Sequence, residues 1–121
     1  MTQRITDPTQ LFELAVAGDR GALARLLSLI ERGGEDARVI ARLTYPKSGS
    51  GYTVGITGAP GAGKSTLTSA TIGHLRASDT KVAVLAIEPS SPFTGGAILG
   101  DRVRMQDHAT DAGVFIRSMA T

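Results

Sequence analysis

The sequence predicts an α/β fold, a parallel sheet with flanking helices, preceded by an N-terminal helical region. Three observations carry that expectation. Leucines and isoleucines before residue 44 recur at helical spacing. After residue 51 short apolar runs alternate with one helical stretch, the order expected of a parallel sheet. Much of the glycine, 15 residues in all, gathers around 55–63 and 95–100. Clustered glycine marks backbone that must turn sharply or approach a ligand closely.

Residues 7–32 read as helix. Asp7 followed by Pro8 is a start signal, a capping carboxylate and then a proline at the first helical position. Leu11, Leu14 and Ala15 share a face. Leu23, Leu26, Leu27 and Ile30 repeat at i, i+3, i+4 and i+7. Gly18-Asp19-Arg20-Gly21 is expected to divide this stretch into two helices, and Gly33-Gly34 to end the second. A third helix is expected over 35–43 with Val39, Ile40 and Leu43 inward, and 45–51 reads as linker. The expected division is therefore 1–50 as the helical region and 51–121 as the N-terminal part of an α/β domain.

In that second region Tyr52–Thr57 is a short β-prone run. Lys64–Ala77 reads as helix with Leu67, Thr71, His74 and Leu75 on one side. Asp79-Thr80 turns the chain. KVAVLAI over 81–87 is almost continuously apolar, which suits a parallel strand covered on both faces. Residues 89–100 read as loop, 101–108 as a short helix, and Val114–Met119 as a third strand.

Composition narrows the function classes. Thirteen basic and 11 acidic residues leave a net charge of +2, too balanced to argue for nucleic acid or an anionic membrane surface. Without cysteine there is no disulfide, thiolate metal site or cysteine nucleophile. No apolar run approaches the ~20 residues of a membrane span, and a cytoplasmic location is expected by default.

Gly58-Ala59-Pro60-Gly61-Ala62-Gly63-Lys64-Ser65 fits the phosphate-loop pattern G-x-x-x-x-G-K-[ST] at every fixed position, with Thr66 following. Glycines let successive backbone N–H groups point inward around phosphates. Lys64 brings positive charge to the β- and γ-phosphates, Ser65 offers a hydroxyl to Mg2+, and the helix N-terminus favours the anion. The chance alternative is an ordinary glycine turn, but a β-prone run before and a helix after are the context the motif requires.

Beyond strand 81–87 come Glu88-Pro89-Ser90-Ser91 and a glycine-rich stretch ending at Asp101. Ligands of open α/β sheets sit beyond the carboxyl ends of the strands. Glu88 can there hold a Mg2+-bound water or orient the attacking water, or be a solvated strand-end carboxylate. Asp101 can approach the same metal or cap a helix. His74 and His108 read as packing or surface residues. Arg102 and Arg104 fit an exposed basic helix end better than a phosphate contact. Phe93 is a partner contact or a loop anchor.

TVGITGAPGAGKSTL followed by VAVLAIEPSSPFTGGAILGDRVRMQDHATDAGVFIRSMAT closely resembles the MeaB/ArgK-type G proteins, a group that includes the human methylmalonic aciduria type A protein. The resemblance covers 52–121, and more loosely the helical segment with GDRGALARLLSLIE. It implies a P-loop NTPase fold and a Mg2+-dependent GTPase using GTP and GDP, usually a homodimer. It also implies a chaperone of adenosylcobalamin-dependent methylmalonyl-CoA mutase, with roles in cofactor loading and protection. Gly58 through Thr66 would bind phosphate and Ser65 the metal, with Lys64 and Glu88 in the catalytic set. Asp101 would be a metal-linked carboxylate at the end of a first switch loop over 90–101. The family usually has Asp where this chain has Glu88, one methylene longer.

Family members continue well past Ala120-Thr121 with a second switch, an acidic Walker B-like region, a base-reading N-K-x-D-type motif and a dimerisation arm. The chain is therefore expected to be an N-terminal piece, weak in phosphate binding and poor in turnover alone. Two other functions remain open on the residues: an ATP-using kinase or transport-associated ATPase, and a non-catalytic interaction module docking through 7–43.

Overall fold

The computed structural model describes residues 5–59, 61–88, 108 and 110–120, with backbone alone for Glu88 and Ala120. The chain divides into two compact units, Met1–Thr53 and Val54–Thr121.

The first unit is helical: α1 (Pro8–Val16), α2 (Arg20–Arg32), α3 (Gly34–Thr44) and a single 3-10 turn at Tyr45–Lys47. Asp7 caps α1 by accepting from the Gln10 N–H at 3.2 Å, and Asp19 caps α2 by accepting from the Ala22 N–H at 3.0 Å. Each carboxylate satisfies a donor that has no partner within its helix. The α2 helix ends where Gly33 turns to φ 75°, a left-handed value that residues with a β-carbon avoid.

Leu11, Ala22, Leu26 and Ile40 form the core of this unit, with Phe12, Leu14, Ala15 and Leu29 packed against it. The inward stripe of α2 is therefore 22, 26 and 29, one step round from the expected 23, 26, 27 and 30, and Ile30 stays 42% exposed. The cause is the packing of α2 against both α1 and α3. Ala22, fully buried, faces that junction, where a small side chain permits close helix approach.

The second unit holds α4 (Lys64–Ala77), β1 (Val82–Glu88) and β2 (Val114–Ala120). The strands are parallel, with Val82 opposite Val114 and Glu88 opposite Ala120. Ile72 of α4 and Val114 of β2 are its buried centre, with Val82, Val84 and Ile116 around them. Strand residues alternate between faces. The even-numbered face packs on α4, while Leu85 and Ile87 on the other are 49% and 64% exposed. The apolar run at 81–87 is thus covered on one face among the described residues, not on both as expected.

Two other expectations change. Tyr52–Thr57 is irregular chain here, with Tyr52 95% and Val54 67% exposed. A strand exists through pairing, and β1 and β2 are the paired strands among the described residues. On α4, Leu67, Thr71 and His74 face solvent; the side turned inward carries Ser65, Ser69, Ile72 and Arg76. The helix expected at 101–108 lies outside the described residues except for His108.

Candidate functional site

The glycine loop and the start of α4 form one local structure. Gly61 and Gly63 adopt φ 81° and 95°, left-handed values open to glycine at little cost. The Ala62 N–H donates to the Ala59 carbonyl at 3.1 Å and closes a turn, and the Leu67 N–H donates to the Gly63 carbonyl at 2.9 Å as α4 begins. A β-carbon on Gly58 would lie 3.5 Å from Cγ and 3.7 Å from Cδ of Lys64. The lysine stem therefore lies back over the first glycine of the loop, bringing the two ends of the motif together.

The cap position of α4 is Gly63, which has no side chain to cap the helix, and the first turn contains no acidic residue. The N–H groups of Lys64, Ser65 and Thr66 precede the first intrahelical bond, and the helix dipole adds a partial positive charge at the same place. Ser65 is 6% exposed, Thr66 is exposed, and the Thr68 hydroxyl donates to the Lys64 carbonyl at 2.7 Å. This end of the helix fits an anion: left-handed glycines, backbone donors and one lysine, with no carboxylate in the first turn to repel it.

The metal side of the site is sparser. Among the described residues there is no group of three or more His, Asp or Glu side chains placed to hold a cation. Ser65 carries a hydroxyl oxygen, a donor of the type that Mg2+ takes together with phosphate and water oxygens. The backbone of Glu88 closes β1 at the carboxyl end of the sheet, as expected. Pro60, Asp101, Phe93, Arg102, Arg104 and the stretch 90–101 lie outside the described residues.

A second cluster, absent from the sequence-based expectations, ties α4 to the segment entering β2. Arg76 donates from Nε to Asp111 Oδ2 at 2.9 Å and from Nη2 to Oδ1 at 3.1 Å, a bidentate pair. Asp111 Oδ1 also accepts from the Gly113 N–H at 2.8 Å. The Arg76 hydrogen bonds, then the Gly113 N–H, hold the Asp111 carboxyl below the usual carboxylate range, and the same pair raises Arg76 further. A β-carbon on Gly113 would collide with the Arg76 guanidinium, so glycine there leaves room for the pair. His108 lies on Ser69, its Nε2 3.0 Å from the hydroxyl and 3.1 Å from the carbonyl oxygen. The available signal was spacing: 65, 69, 72 and 76 step by four, three and four, the stripe of one helix face.

A family model described as "Methylmalonyl Co-A mutase-associated GTPase MeaB" matches residues 23–121. A protein of Pyrococcus abyssi named "Putative GTPase" is 59% identical over 112 residues, which are 93% of this chain and 35% of that protein. GTPase ArgK of Escherichia coli is 41% identical over 104 residues, 83% of this chain and 31% of its own length. A fused isobutyryl-CoA mutase of Cupriavidus metallidurans is 42% identical over 118 residues, 94% of this chain and 11% of that protein. The chain thus spans about a third of the length of the Pyrococcus abyssi and Escherichia coli relatives. Among the described residues no helix is long and apolar enough to cross a membrane.

Proposed function

The chain belongs to the family of methylmalonyl-CoA mutase-associated GTPases, and from that premise we propose that residues 58–66 are the phosphate loop of a Mg2+-dependent GTPase with the P-loop NTPase fold. The observation that carries this is the start of α4: a helix N-terminus entered through two left-handed glycines, Gly61 and Gly63, with Lys64 folded over Gly58. Backbone N–H groups of the loop and α4 hold the phosphate oxygens. Lys64 neutralises charge on the β- and γ-phosphates as the bond between them lengthens. Bound Mg2+ supplies further neutralisation of the phosphates. Ser65 would hold it through its hydroxyl, and Asp101 through its carboxylate. Glu88, at the end of β1, would orient the water that attacks the γ-phosphorus or help to hold the metal through a water. That attack forms a P–O bond, releases the diphosphate oxygen and passes the water's proton to solvent.

In the longer protein of which such a segment is the N-terminal part, hydrolysis drives a cytoplasmic, homodimeric chaperone. It loads and protects an adenosylcobalamin-dependent acyl-CoA mutase, methylmalonyl-CoA mutase first among them. The fused isobutyryl-CoA mutase supports the mutase partner, because a sequence 42% identical to this one occurs within that enzyme.

The test is titration of fluorescent GDP and ADP, each with Mg2+, into this chain and into the full-length protein, with Lys64→Ala beside each. Binding to the full-length protein that favours GDP and is lost in Lys64→Ala is the expected result. A preference for ADP would favour an ATPase or kinase. Binding of a mutase without any nucleotide binding would favour an interaction module.

A further inference from the structure

The inward face of α4 is anchored at three successive levels below Ser65. One turn on, Ser69 meets His108; at the next level Ile72 packs on Val114; at the last, Arg76 is forked onto Asp111. All three anchors come from the same short stretch, 108–114. That stretch is braced within itself: the Asp111 N–H donates to the His108 carbonyl at 3.1 Å, and the Val114 N–H donates to the Asp111 carbonyl at 3.1 Å. Arg76 Nη1 also donates to the Thr80 carbonyl at 3.0 Å, tying the C-terminal end of α4 to the turn that leads toward β1.

Anchors on one face of a helix fix its rotation about its own axis. Side chains four residues apart lie almost above one another, about 6 Å along the axis. Holding Ser69 therefore sets the direction in which Ser65 points. With Cα atoms about 2.3 Å from the axis and side chains farther out, a rotation of some 15° moves a hydroxyl by about 1 Å. A displacement of that size is costly where a ligand needs defined geometry. Ile72 and Arg76 hold the far end of the helix, and of these three anchors His108 lies nearest the phosphate loop.

We propose that His108 is a positioning residue for the phosphate site: by gripping Ser69 it fixes the rotation of α4 and so the aim of the Ser65 hydroxyl. The proposal rests on the phosphate-loop function above and names a residue outside the motif on which that site depends. The role assigned to His108 is indirect, through its contacts with Ser69. Its effect is specific to the Mg2+-dependent part of binding, because Ser65 is the motif side chain whose oxygen serves the metal, whereas the backbone N–H groups tolerate a small rotation.

The test uses the full-length protein and measures fluorescent GDP affinity with Mg2+ and again with EDTA, for the wild type, His108→Ala, His108→Gln and Ser65→Ala. His108→Ala is expected to weaken binding about tenfold in Mg2+, the lower end of what loss of a ligand-orienting partner costs, and to change it little in EDTA. His108→Gln, whose amide reaches the same place as Nε2, is expected to restore most of the loss. An equal loss with and without Mg2+, no loss, or no recovery with glutamine would overturn the positioning role. Ser65→Ala separates the two levels of the argument. If it abolishes the Mg2+ dependence while His108→Ala is silent, the positioning proposal alone fails. If Ser65→Ala leaves the Mg2+ dependence intact, the phosphate-site function fails with it.

Discussion

In the helical unit α1 and α2 each begin beneath an aspartate that accepts from a backbone N–H in the first turn, at Asp7 and Asp19. In the α/β unit α4 begins beneath Gly63, in the left-handed region at φ 95°, with no side-chain cap. A capping carboxylate lowers the free energy of a helix by about 1 kcal/mol. Glycine at the cap position gives up only a few tenths of a kcal/mol of that stabilisation. The same contrast appears in packing. Leu11, Ala22, Leu26 and Ile40 close a core in the first unit, while Leu85 and Ile87 of the second remain half or more exposed. The contrast is local and not a property of whole units: α3 of the helical unit also begins at a left-handed glycine, Gly33, without a side-chain cap, and Ile30 there is 42% exposed.

The largest expected effect falls on the self-contained side of this contrast. Leu26→Ala removes a side chain only 4% exposed and should cost about 2–5 kcal/mol of stability, read from urea unfolding followed by circular dichroism. Because its core contacts are within the helical unit, GDP affinity under native conditions should stay within about twofold of wild type. A parallel loss of affinity would break the division of roles between the units.

Gly63→Asp exchanges the two strategies by placing an aspartate cap on α4. Asp tolerates the left-handed region better than most residues, so the strain and the capping gain should nearly cancel and the melting temperature should shift little. The carboxylate would occupy the donors meant for phosphate and repel it, so nucleotide affinity should fall at least about 100-fold, the ~2.7 kcal/mol that two tenfold steps represent. Unchanged affinity would show that the N-terminus of α4 is not the phosphate site.

How much of this was legible beforehand depended on how local the physics is. Asp7-Pro8 and Gly33-Gly34 announce helix ends because caps and left-handed turns involve only neighbouring residues, and the structure has both. The glycine turn before α4 was legible for the same reason, since left-handed Gly61 and Gly63 and the helix start after them involve only neighbouring residues. What was missed depends on residues far apart in sequence. The inward stripe of α2 shifts to Ala22 because two other helices meet there, and Ala22 has no apolar bulk to advertise it. Tyr52–Thr57 has strand-like residues, but strand formation needs a partner that composition does not supply. The inward face of α4 was misplaced because its residues are largely polar: Ser69 and Arg76 are held there by partners 35 or more positions away.

A smaller effect tests the caps of the helical unit directly. Asp19→Ala removes the acceptor for the Ala22 N–H and should lower stability by about 1 kcal/mol, seen as a shift in urea midpoint at unchanged slope. Asp19→Asn keeps an acceptor oxygen and should recover most of it. If alanine were as good as asparagine, the contrast between capped α2 and uncapped α4 would have no energetic content.

The smallest effect belongs to the Arg76–Asp111 clamp, whose side chains are 20% and 34% exposed and so partly screened by water. Hydrogen bonds from Arg76 and the Gly113 N–H hold the Asp111 carboxyl below its ordinary value. As pH falls, the unfolded chain takes up this proton first. The clamp's contribution is therefore complete above the ordinary carboxylate pKa of about 4 and is lost as pH drops through the lower folded value. Arg76 is shifted upward, so its contribution persists at every pH below its unfolded value and opens no window near neutrality. Melting the wild type and Asp111→Asn from pH 7 to 3 compares the fold with and without the Asp111 charge. The wild-type advantage should be constant down to about pH 4 and shrink below it. An advantage that grew with acid, or one that vanished between pH 7 and 5, would show that the bidentate pair does not hold the end of α4 as the structure places it.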